Sequence, residues 1–346
     1  MTSAESDTIR DVEDLEERLS LPSEAVADAL QRLKGDILVL GVGGKMGPTL
    51  ARMARRASDM AGVKRRIIGV SRFSNGGLEA RLRAHGIEPI PCDLLDPDAL
   101  ARLPDAANIV YMAGMKFGST GQEALTWAMN AHLPGLVCRR FPESRIVAFS
   151  TGNVYPLVPV ARGGSREEDV LQPVGEYAMS CLGRERIFEH YSRTLGQPVA
   201  LLRLSYAVEM RYGVLVDIAA RVRNEEPIDL AMGSMVALWQ GDANAMALQA
   251  FDLAASPPFV VNITGPEILS VRQVAMEMGR LLDRPVRFTR EESGAALISC
   301  AQKAHRLFGY PRIPIAQAIV WTADWVARGG ETLGKPTHFE TTDGKF

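Results

Sequence analysis

The sequence is poor in several features that would point to a particular class of protein. It has only four cysteines among 346 residues, at positions 92, 138, 181 and 300, and no two of them form a CxxC pair. This argues against a disulfide framework or a zinc site and predicts a reducing, cytoplasmic location. The formal net charge is only −2, so no electrostatic feature predicts nucleic acid or an anionic membrane as a partner.

Long apolar runs are also absent. None reaches the roughly 20 residues that would span a bilayer, and the acidic start, MTSAESDTIRDVEDLEE, lacks the apolar centre of a signal peptide. What is present is ordinary for a globular protein, with 47% hydrophobic and 23% charged residues. A chain of this length can bury a large core, in one large domain or in two unequal lobes.

The most informative stretch is 36–56, where an apolar strand pattern leads through a glycine turn into a helical pattern. The turn contributes five residues to a predicted site: Gly41, Gly44, Lys45, Met46 and Gly47. The glycines let the backbone approach a pyrophosphate, and the helix N-terminus offers N–H groups and a positive dipole end. The spacing alone is a weak signal, and a glycine-rich hairpin is the alternative. Because a long helical pattern follows, we predict a dinucleotide site.

Strand and helix patterns alternate from the glycine turn to residue 204, which predicts a doubly wound parallel, Rossmann-type α/β sheet. Further strands are expected at 66–70, 88–92, 108–112, 145–149 and 199–204. After that the alternation breaks down into helical pieces with short strands at 236–239 and 259–263. This predicts a smaller C-terminal α/β lobe over the carboxyl ends of the strands, where ligands bind in such folds.

The resulting division has four parts: an N-terminal helical extension (1–35), a dinucleotide-binding domain (36–204), a substrate lobe (205–330) and a polar tail (331–346) that we expect to be loosely ordered. Within the extension, residues 8–34 predict two amphipathic helices broken at Leu21–Pro22, with Ser23 as an N-cap. We expect the charged run 11–18 to be a solvated face.

Several motifs resemble those of the extended short-chain dehydrogenase/reductase family, in its NAD(P)-dependent epimerase/dehydratase branch. STGNVY at 150–155 is similar to the family's SSxxVYG, and YAMSC at 177–181 is similar to its YxxxK. Together with the glycine turn, these motifs lie in the family's order across residues 36–328. The resemblance implies that the cofactor's adenine lies beside Asp93 and Leu94, and that its nicotinamide lies near Ala113 and Gly114.

The resemblance also implies three catalytic residues: Thr151, Tyr177 and Asn130. A carbonyl that accepts hydride develops negative charge on its oxygen, so it needs a hydroxyl donor and a proton source within reach. Thr151 ends a central strand and Tyr177 lies on the following helix, so the two can converge there. The alternative is that Thr151 only caps a turn and Tyr177 only anchors a helix.

Cys181 stands where the family has the lysine of YxxxK, which lowers the tyrosine pKa and binds the nicotinamide ribose; we therefore place Cys181 beside the cofactor. Without that lysine, a phenol with a pKa of about 10 remains a proton donor but becomes a poor base. The absence of the lysine should therefore slow alcohol oxidation more than carbonyl reduction. Arg184 shares a helix face with Tyr177 and Cys181. Either it supplies the lost charge, or it is a surface residue paired with Glu185 or Glu189, which we favour.

Two further positions bear on the ligands. The second strand ends in Ser71-Arg72 rather than in the acid that accepts the ribose 2′-hydroxyl of NAD, and Arg72 suits a 2′-phosphate. NADP is therefore favoured, although stacking of Arg72 on adenine keeps NAD possible. Met235 stands where sugar-nucleotide members carry an arginine that grips a diphosphate. A diphosphate without a cation binds weakly, which suggests that the substrate is not a nucleotide sugar.

The sequence therefore predicts an NAD(P)-dependent oxidoreductase or epimerase, without a metal, that acts on a small polyhydroxylated or sugar-derived carbonyl or alcohol. The alternative is a catalytically weak NAD(P)-binding sensor or regulatory protein. Cys181 favours the sensor, whereas the presence of both Thr151 and Tyr177 favours the enzyme. The resemblance further implies a homodimer formed through the helices that carry Asn130 and Tyr177. The expected partner is a small-molecule substrate, with neither nucleic acid nor membrane.

Overall fold

The apolar runs of the sequence form one central sheet in the computed structural model, which describes residues 8–74, 76–116 and 121–344. Its strands are β1 (Ile37–Leu40), β2 (Ile67–Ser71), β3 (Glu88–Pro91), β4 (Asn108–Tyr111), β5 (Arg145–Thr151), β6 (Val199–Leu204) and β7 (Phe259–Ile263). All neighbours pair in parallel, in the order β7-β6-β5-β4-β1-β2-β3. The predicted Rossmann-type fold is confirmed. Residues 1–7 of the predicted extension and 345–346 of the predicted tail lie outside the described residues.

Helices cover both faces of the sheet and build the C-terminal lobe. They are α1 (Val12–Leu19), α2 (Glu24–Arg32), α3 (Gly47–Met60), α4 (Leu78–Ala84), α5 (Pro97–Ala101), α6 (Glu123–Trp127), α7 (Leu133–Arg140), α8 (Gly175–Leu195), α9 (Val214–Arg223), α10 (Gln240–Gln249), α11 (Val271–Leu282), α12 (Gln302–Phe308) and α13 (Ile315–Ala327). β1 and β4 are buried along their whole length, as expected for parallel strands covered on both faces. Among the described helices, none combines the length and the apolar character that crossing a membrane requires.

The N-terminal extension forms the two predicted helices, α1 and α2. Ser23 caps α2, its hydroxyl accepting a hydrogen bond from the Val26 N–H at 3.4 Å. Asp11 and Glu13 of the charged run 11–18 are exposed, as expected of a solvated face, but charged residues of α1 also form ion pairs with the rest of the chain. Glu17 pairs with Arg52 of α3 at 2.5 Å, and Glu16 pairs with Arg211 of the C-terminal lobe at 3.0 Å. These ion pairs tie the extension to both other parts of the chain.

The C-terminal part of the chain returns to the central sheet. Residues 259–263, which we expected within the substrate lobe, form β7 at the edge of the sheet beside β6. The helix α10, which the sequence did not indicate, packs against α2 and α3. The lobe itself is built around α9, α11 and α13. The division of the chain at residue 205 remains a prediction.

The expectation of a loosely ordered tail is wrong for its described residues. Thr337 and Phe339 are 1% and 2% exposed, and Phe339 belongs to the apolar core of the lobe. The Thr337 N–H donates a hydrogen bond to the Asp217 carboxylate of α9 at 2.7 Å. Apolar contacts of Phe339, together with hydrogen bonds from both the N–H and the hydroxyl of Thr337 to Asp217, therefore hold a segment whose composition is mostly polar.

A buried ion pair joins the longest helix to the sheet. Arg203 of β6 donates three hydrogen bonds to the Glu185 carboxylate of α8, at 3.0, 3.3 and 2.8 Å, and the Ser150 hydroxyl donates to the same carboxylate at 2.5 Å. Both ion-pair side chains are about 5% exposed or less. Removing one partner leaves the other as an uncompensated buried charge.

We therefore expect Glu185→Ala to lower the free energy of unfolding by about 3–5 kcal/mol, measured by urea denaturation. The matched control is Glu189→Ala on the same helix, because Glu189 pairs with two half-exposed arginines at the surface. That variant should lose only about 0–1 kcal/mol. Equal losses in the two variants would contradict the prediction.

Candidate cofactor and active site

The glycine turn after β1 has two positions that the fold itself restricts to glycine. Gly41 has a φ of +90°, and a Cβ there would lie 2.7 Å from the Ala113 backbone nitrogen. A Cβ on Gly47 would lie 2.3 Å from the Val42 carbonyl oxygen. At Gly44 the nearest atom would be 3.4 Å away, which is an ordinary contact. No protein atom requires glycine at 44, which suits a position kept clear for a ligand.

The helix that follows the turn begins without a side-chain cap. α3 starts at Gly47, its N-cap residue Met46 makes no capping hydrogen bond, and a proline lies in its first turn. The first N–H groups of such a helix have no partner within the helix. This end of α3 is therefore suited to an anion such as a pyrophosphate.

A cleft of about 830 Å³ lies between the glycine turn, the carboxyl ends of the strands and the C-terminal lobe. Ligand sites commonly have about 300–1,000 Å³. Most of the predicted site residues line this cleft: Gly41, Gly44, Lys45, Met46, Gly47, Ser71, Arg72, Asp93, Leu94, Ala113, Gly114 and Tyr177. Thr151, Asn130 and Cys181 lie behind this lining. In the described residues, no group of acidic, histidine or cysteine side chains is placed to hold a metal.

Asn130 connects the segment after β4 to the helix α8. It lies in a π-helical turn, Ala128–His132, between α6 and α7; such turns are frequent at functional sites. Its side chain donates to the Met115 carbonyl and accepts from the Met115 N–H, both at 2.9 Å. It also donates to the Ser180 hydroxyl at 2.9 Å. Asn130 is 0% exposed and therefore acts as a support.

The hydroxyl groups of Thr151 and Tyr177 meet at the carboxyl end of β5. The Tyr177 phenol is hydrogen-bonded to the side chains of Thr151 and Cys181. Thr151 donates to the Asn153 amide oxygen at 2.8 Å, and it also accepts from the Asn153 N–H at 3.2 Å. Thr151 thus caps a turn and contacts the tyrosine. Burial raises the pKa of Tyr177 well above its ordinary value, so at neutral pH the phenol is a proton donor.

Cys181 lies one turn after Tyr177 on α8 and is 0% exposed. Burial raises the pKa of its thiol, so the group is neutral at physiological pH. A neutral, enclosed thiol is a poor nucleophile. It packs with Tyr177, Val154 and Tyr155 as a small buried residue of α8.

Arg184 is buried, and the favoured interpretation of it as a surface residue is wrong. It is 6% exposed and lines the cleft. Its guanidinium donates to the Phe149 carbonyl at 2.8 Å and to the Asn130 amide oxygen at 2.6 Å. Glu185 and Glu189 are paired with other arginines.

The sequence of this chain matches a family that fits this architecture. A sequence model of the NAD dependent epimerase/dehydratase family matches residues 37–227, which is more than half of the chain. The chain belongs to this family. It is therefore an enzyme of the extended short-chain dehydrogenase/reductase type, as the motifs indicated. No curated protein sequence gives a significant match.

Solved structures related to the epimerase/dehydratase family share the fold of this chain. The dTDP-glucose 4,6-dehydratase of Bacillus anthracis, solved in complex with NAD, has a TM-score of 0.72 and 17% identity over 85% of this chain and 97% of its own. The UDP-glucuronic acid 4-epimerase of Bacillus cereus, solved with UDP-glucuronic acid and NAD, has a TM-score of 0.68 and 17% identity over 85% of this chain and 99% of its own. At such identities the likeness shows the shared fold.

In the part of the chain that the structure describes, three lysines line the cleft, and the sequence indicated only Lys45 among them as a site residue. Lys116 follows β4, and its Nζ lies 5.7 Å from the centre of the Tyr177 ring. Lys335 reaches the cleft from the tail. The Lys45 Nζ lies 3.0 Å above the ring of Tyr212. Burial, together with the charges of Lys335 and Lys116, lowers the pKa of Lys45 to about 6. No local pattern marks 116 or 335 as site residues.

Proposed function

We propose that this enzyme is an NAD(P)-dependent oxidoreductase or epimerase that acts on a small polyhydroxylated or sugar-derived carbonyl or alcohol. The observation that carries the proposal is the hydrogen bond between the side chains of Thr151 and Tyr177, in which Tyr177 lines the glycine-turn cleft and Thr151 lies directly behind it. A sensor needs a cleft but has no use for two converging hydroxyls. We also propose that the enzyme works in the cytoplasm.

The residues present fit a nicotinamide dinucleotide. The open position at Gly44 and the uncapped start of α3 suit its pyrophosphate. Asp93, at the carboxyl end of β3, lies on the side proposed for adenine, and Ala113 and Gly114, after β4, lie on the side proposed for nicotinamide. The bound cofactor supplies hydride transfer, a chemistry that no side chain of this chain provides.

In the proposed mechanism Thr151 binds the substrate oxygen and Tyr177 holds the proton that this oxygen gains or loses. In this structure the single hydroxyl proton of Thr151 is donated to the Asn153 amide oxygen, so the hydroxyl has to turn away from Asn153 to donate to the substrate oxygen. In the reducing direction Tyr177 donates its proton to the developing alkoxide, which its raised pKa permits at neutral pH. In the oxidising direction the phenol must first be ionised, so we propose that reduction is the faster direction near pH 7.

The proposed substrate class rests on one substitution in the lobe. The solved neighbours are named for dTDP-glucose and UDP-glucuronic acid, which are nucleotide sugars. In this chain Met235 stands where an arginine would grip the diphosphate, and it is 1% exposed within the apolar core of the lobe. This supports a substrate without a nucleotide.

The proposal is tested by following the absorbance of the reduced cofactor with a panel of aldoses, ketoses and sugar alcohols. UDP- and dTDP-sugars form the comparison panel, with epimerised products identified by chromatography. We expect turnover in the first panel with NADP(H) as the preferred cofactor. Tight cofactor binding with no turnover in either panel would favour the sensor.

We propose NADP as the preferred cofactor because of Arg72, which is exposed at the end of the cleft. We expect Arg72→Ala to weaken NADPH binding by about 10- to 100-fold, since hydrogen bonds to charged groups are worth about 1.5–3 kcal/mol, and to leave NADH binding unchanged. Dissociation constants from calorimetry measure this. The matched control is Arg83→Ala, because Arg83 pairs with Glu79 on the outside of α4. Tighter binding of NADH than NADPH by the wild type would contradict the prediction.

A homodimer is part of the proposal. α6 and α8 pack against each other, and the two helices expose large apolar side chains at Leu125, Trp127 and Met179. Exposed apolar side chains on neighbouring helices suit a protein–protein interface. These are the helices through which the family resemblance implied that the dimer forms.

A further inference from the structure

Arg184 is a buried cation whose hydrogen-bond acceptors are all neutral. They are the carbonyl oxygens of Phe149 and Asn130 and the Asn130 amide oxygen. Within the described residues no carboxylate forms an ion pair with it, since the neighbouring Glu185 is bound to Arg203. A buried charge is costly unless it is paired. Arg184 therefore places a positive charge at the wall of the cleft, without a carboxylate partner in the described part of the chain.

The titratable groups that act on this cation are Tyr177, Cys181, Glu185 and Tyr111, which come from two elements. Tyr177 and Cys181 lie on its own helix, and Tyr111 comes from β4, with the guanidinium carbon 5.7 Å from the centre of its ring. Lys116, in the segment after β4, faces Tyr177 and Cys181. The two tyrosines and the cysteine are neutral at pH 7 and become anions on losing a proton. The charge of Arg184 lowers the pKa of Tyr177 against the larger effect of burial.

The guanidinium also forms part of the cleft wall. A Cβ on Gly114 would lie 2.3 Å from its Nη2, so the small residue after β4 leaves room for Arg184. A guanidinium has five N–H groups, and three of them are used in the hydrogen bonds described above. One N–H on each terminal nitrogen remains for a ligand at this end of the cleft.

We propose that Arg184 replaces the missing lysine of this site as its positioning cation: it stabilises the ionised form of Tyr177 and offers N–H donors to the hydroxyls of a bound ribose. This inference rests on the proposed function. The cation comes from position 184, one helical turn beyond the position that the family uses.

Lys116 is a second cation near Tyr177. It differs from Arg184 in the pH range over which its side chain stays charged. Burial lowers the pKa of Lys116 to about 8, so this amine loses its charge in the alkaline range where a tyrosine base works. An arginine keeps its charge throughout that range. Arg184 is also fixed by hydrogen bonds to β5 and to the π-helical turn, so its charge stays in one place.

The test compares five variants: Arg184→Gln, Arg184→Lys, Lys116→Gln, Arg186→Gln and the double variant Arg184→Gln with Cys181→Lys. Each is assayed for NADPH affinity by fluorescence titration, for the pH profile of alcohol oxidation and for stability in urea. Arg184→Gln should raise the dissociation constant for NADPH about tenfold. It should also move the alkaline limb of the pH profile of alcohol oxidation up by about one to three pH units. Arg184→Lys should keep most of the NADPH affinity at pH 7, where a lysine can still be charged, and should depart from the wild-type pH profile in the alkaline range, where a buried amine loses its proton. The surface control Arg186→Gln should behave as the wild type does.

The double variant separates a charge from a structural role. A lysine at 181 cannot remake the hydrogen bonds to Phe149 and Asn130, but it returns a cation to the helix face of Tyr177 in the space that the guanidinium leaves. Recovery of NADPH affinity and of the pH profile is the expected result. Cys181→Lys alone would bury a second cation beside the first, so the rescue is tested only in the double variant.

The inference is overturned if folded Arg184→Gln behaves as the wild type does, if the folded double variant recovers nothing, or if Lys116→Gln causes the larger change. If Arg184→Gln does not fold, Arg184→Lys decides the question, and a tenfold loss of NADPH affinity in that variant overturns the inference. If the wild type binds NADPH and turns over substrate but the variants do not give the expected results, only the inference about Arg184 is refuted. A wild type that binds no nicotinamide cofactor refutes the proposed function as well.

Discussion

Gly44→Asp is expected to abolish binding of NADP(H) and NAD(H) while the protein remains folded. Among the described residues, the atom nearest to a Cβ at 44 would be the Gly41 carbonyl oxygen at 3.4 Å, so we expect the fold to tolerate the substitution. The added carboxylate would stand at the uncapped start of α3, where the pyrophosphate is proposed to bind. Because like charges placed together cost several kcal/mol, affinity should fall about 100-fold or more. Titration calorimetry measures the loss.

Two neighbouring variants control for size and for folding. Gly44→Ala adds a Cβ without a charge, so it should retain more affinity than the aspartate variant. Gly47→Ala places a Cβ 2.3 Å from the Val42 carbonyl, so it should lower the melting temperature whether or not cofactor is present. If Gly44→Asp binds cofactor as the wild type does, the glycine turn is not the phosphate site.

The sequence predicted those parts of the fold that depend on a pattern within a few consecutive residues. A parallel strand covered on both faces needs a continuous apolar run, and residues 199–204 form β6 with the predicted bounds. Residues 259–263 gave an equally clear strand pattern, yet their place in the sheet was not predictable. A strand pattern carries no information about its partner, and β7 reaches β6 only because the chain folds back after the start of the lobe.

The same limit explains which parts of the site were found. The glycine turn is a local motif, so each of its predicted residues lies at the cleft. The spacing of 177, 181 and 184 placed Arg184 on one helix face with Tyr177, but it did not tell whether that face was buried. Burial depends on the Phe149 carbonyl and on Asn130, which lie 35 and 54 residues away in the sequence. Lys335 arrives from the tail and carries no local signal at all.

Tyr177→Phe is expected to reduce turnover by about 10²- to 10⁴-fold, the usual contribution of a positioned proton donor, in both reaction directions. The change removes one oxygen and keeps the ring, so NADPH affinity and the free energy of unfolding should stay near the wild-type values. Cys181 cannot take over the proton transfer, because its thiol is 0% exposed and burial raises its pKa.

The matched variants of Tyr177→Phe are Thr151→Val and Thr151→Ser, which remove and restore the hydroxyl that contacts the phenol. Thr151→Val should lose turnover and Thr151→Ser should keep most of it. In Tyr177→Phe the alkaline limb that reports ionisation of the phenol should also vanish from the residual oxidation rate. If Tyr177→Phe keeps wild-type kcat, the proton comes from another group, and the role assigned to Arg184 falls with it. If both kcat and the alkaline limb disappear while NADPH still binds, Tyr177 is the proton donor.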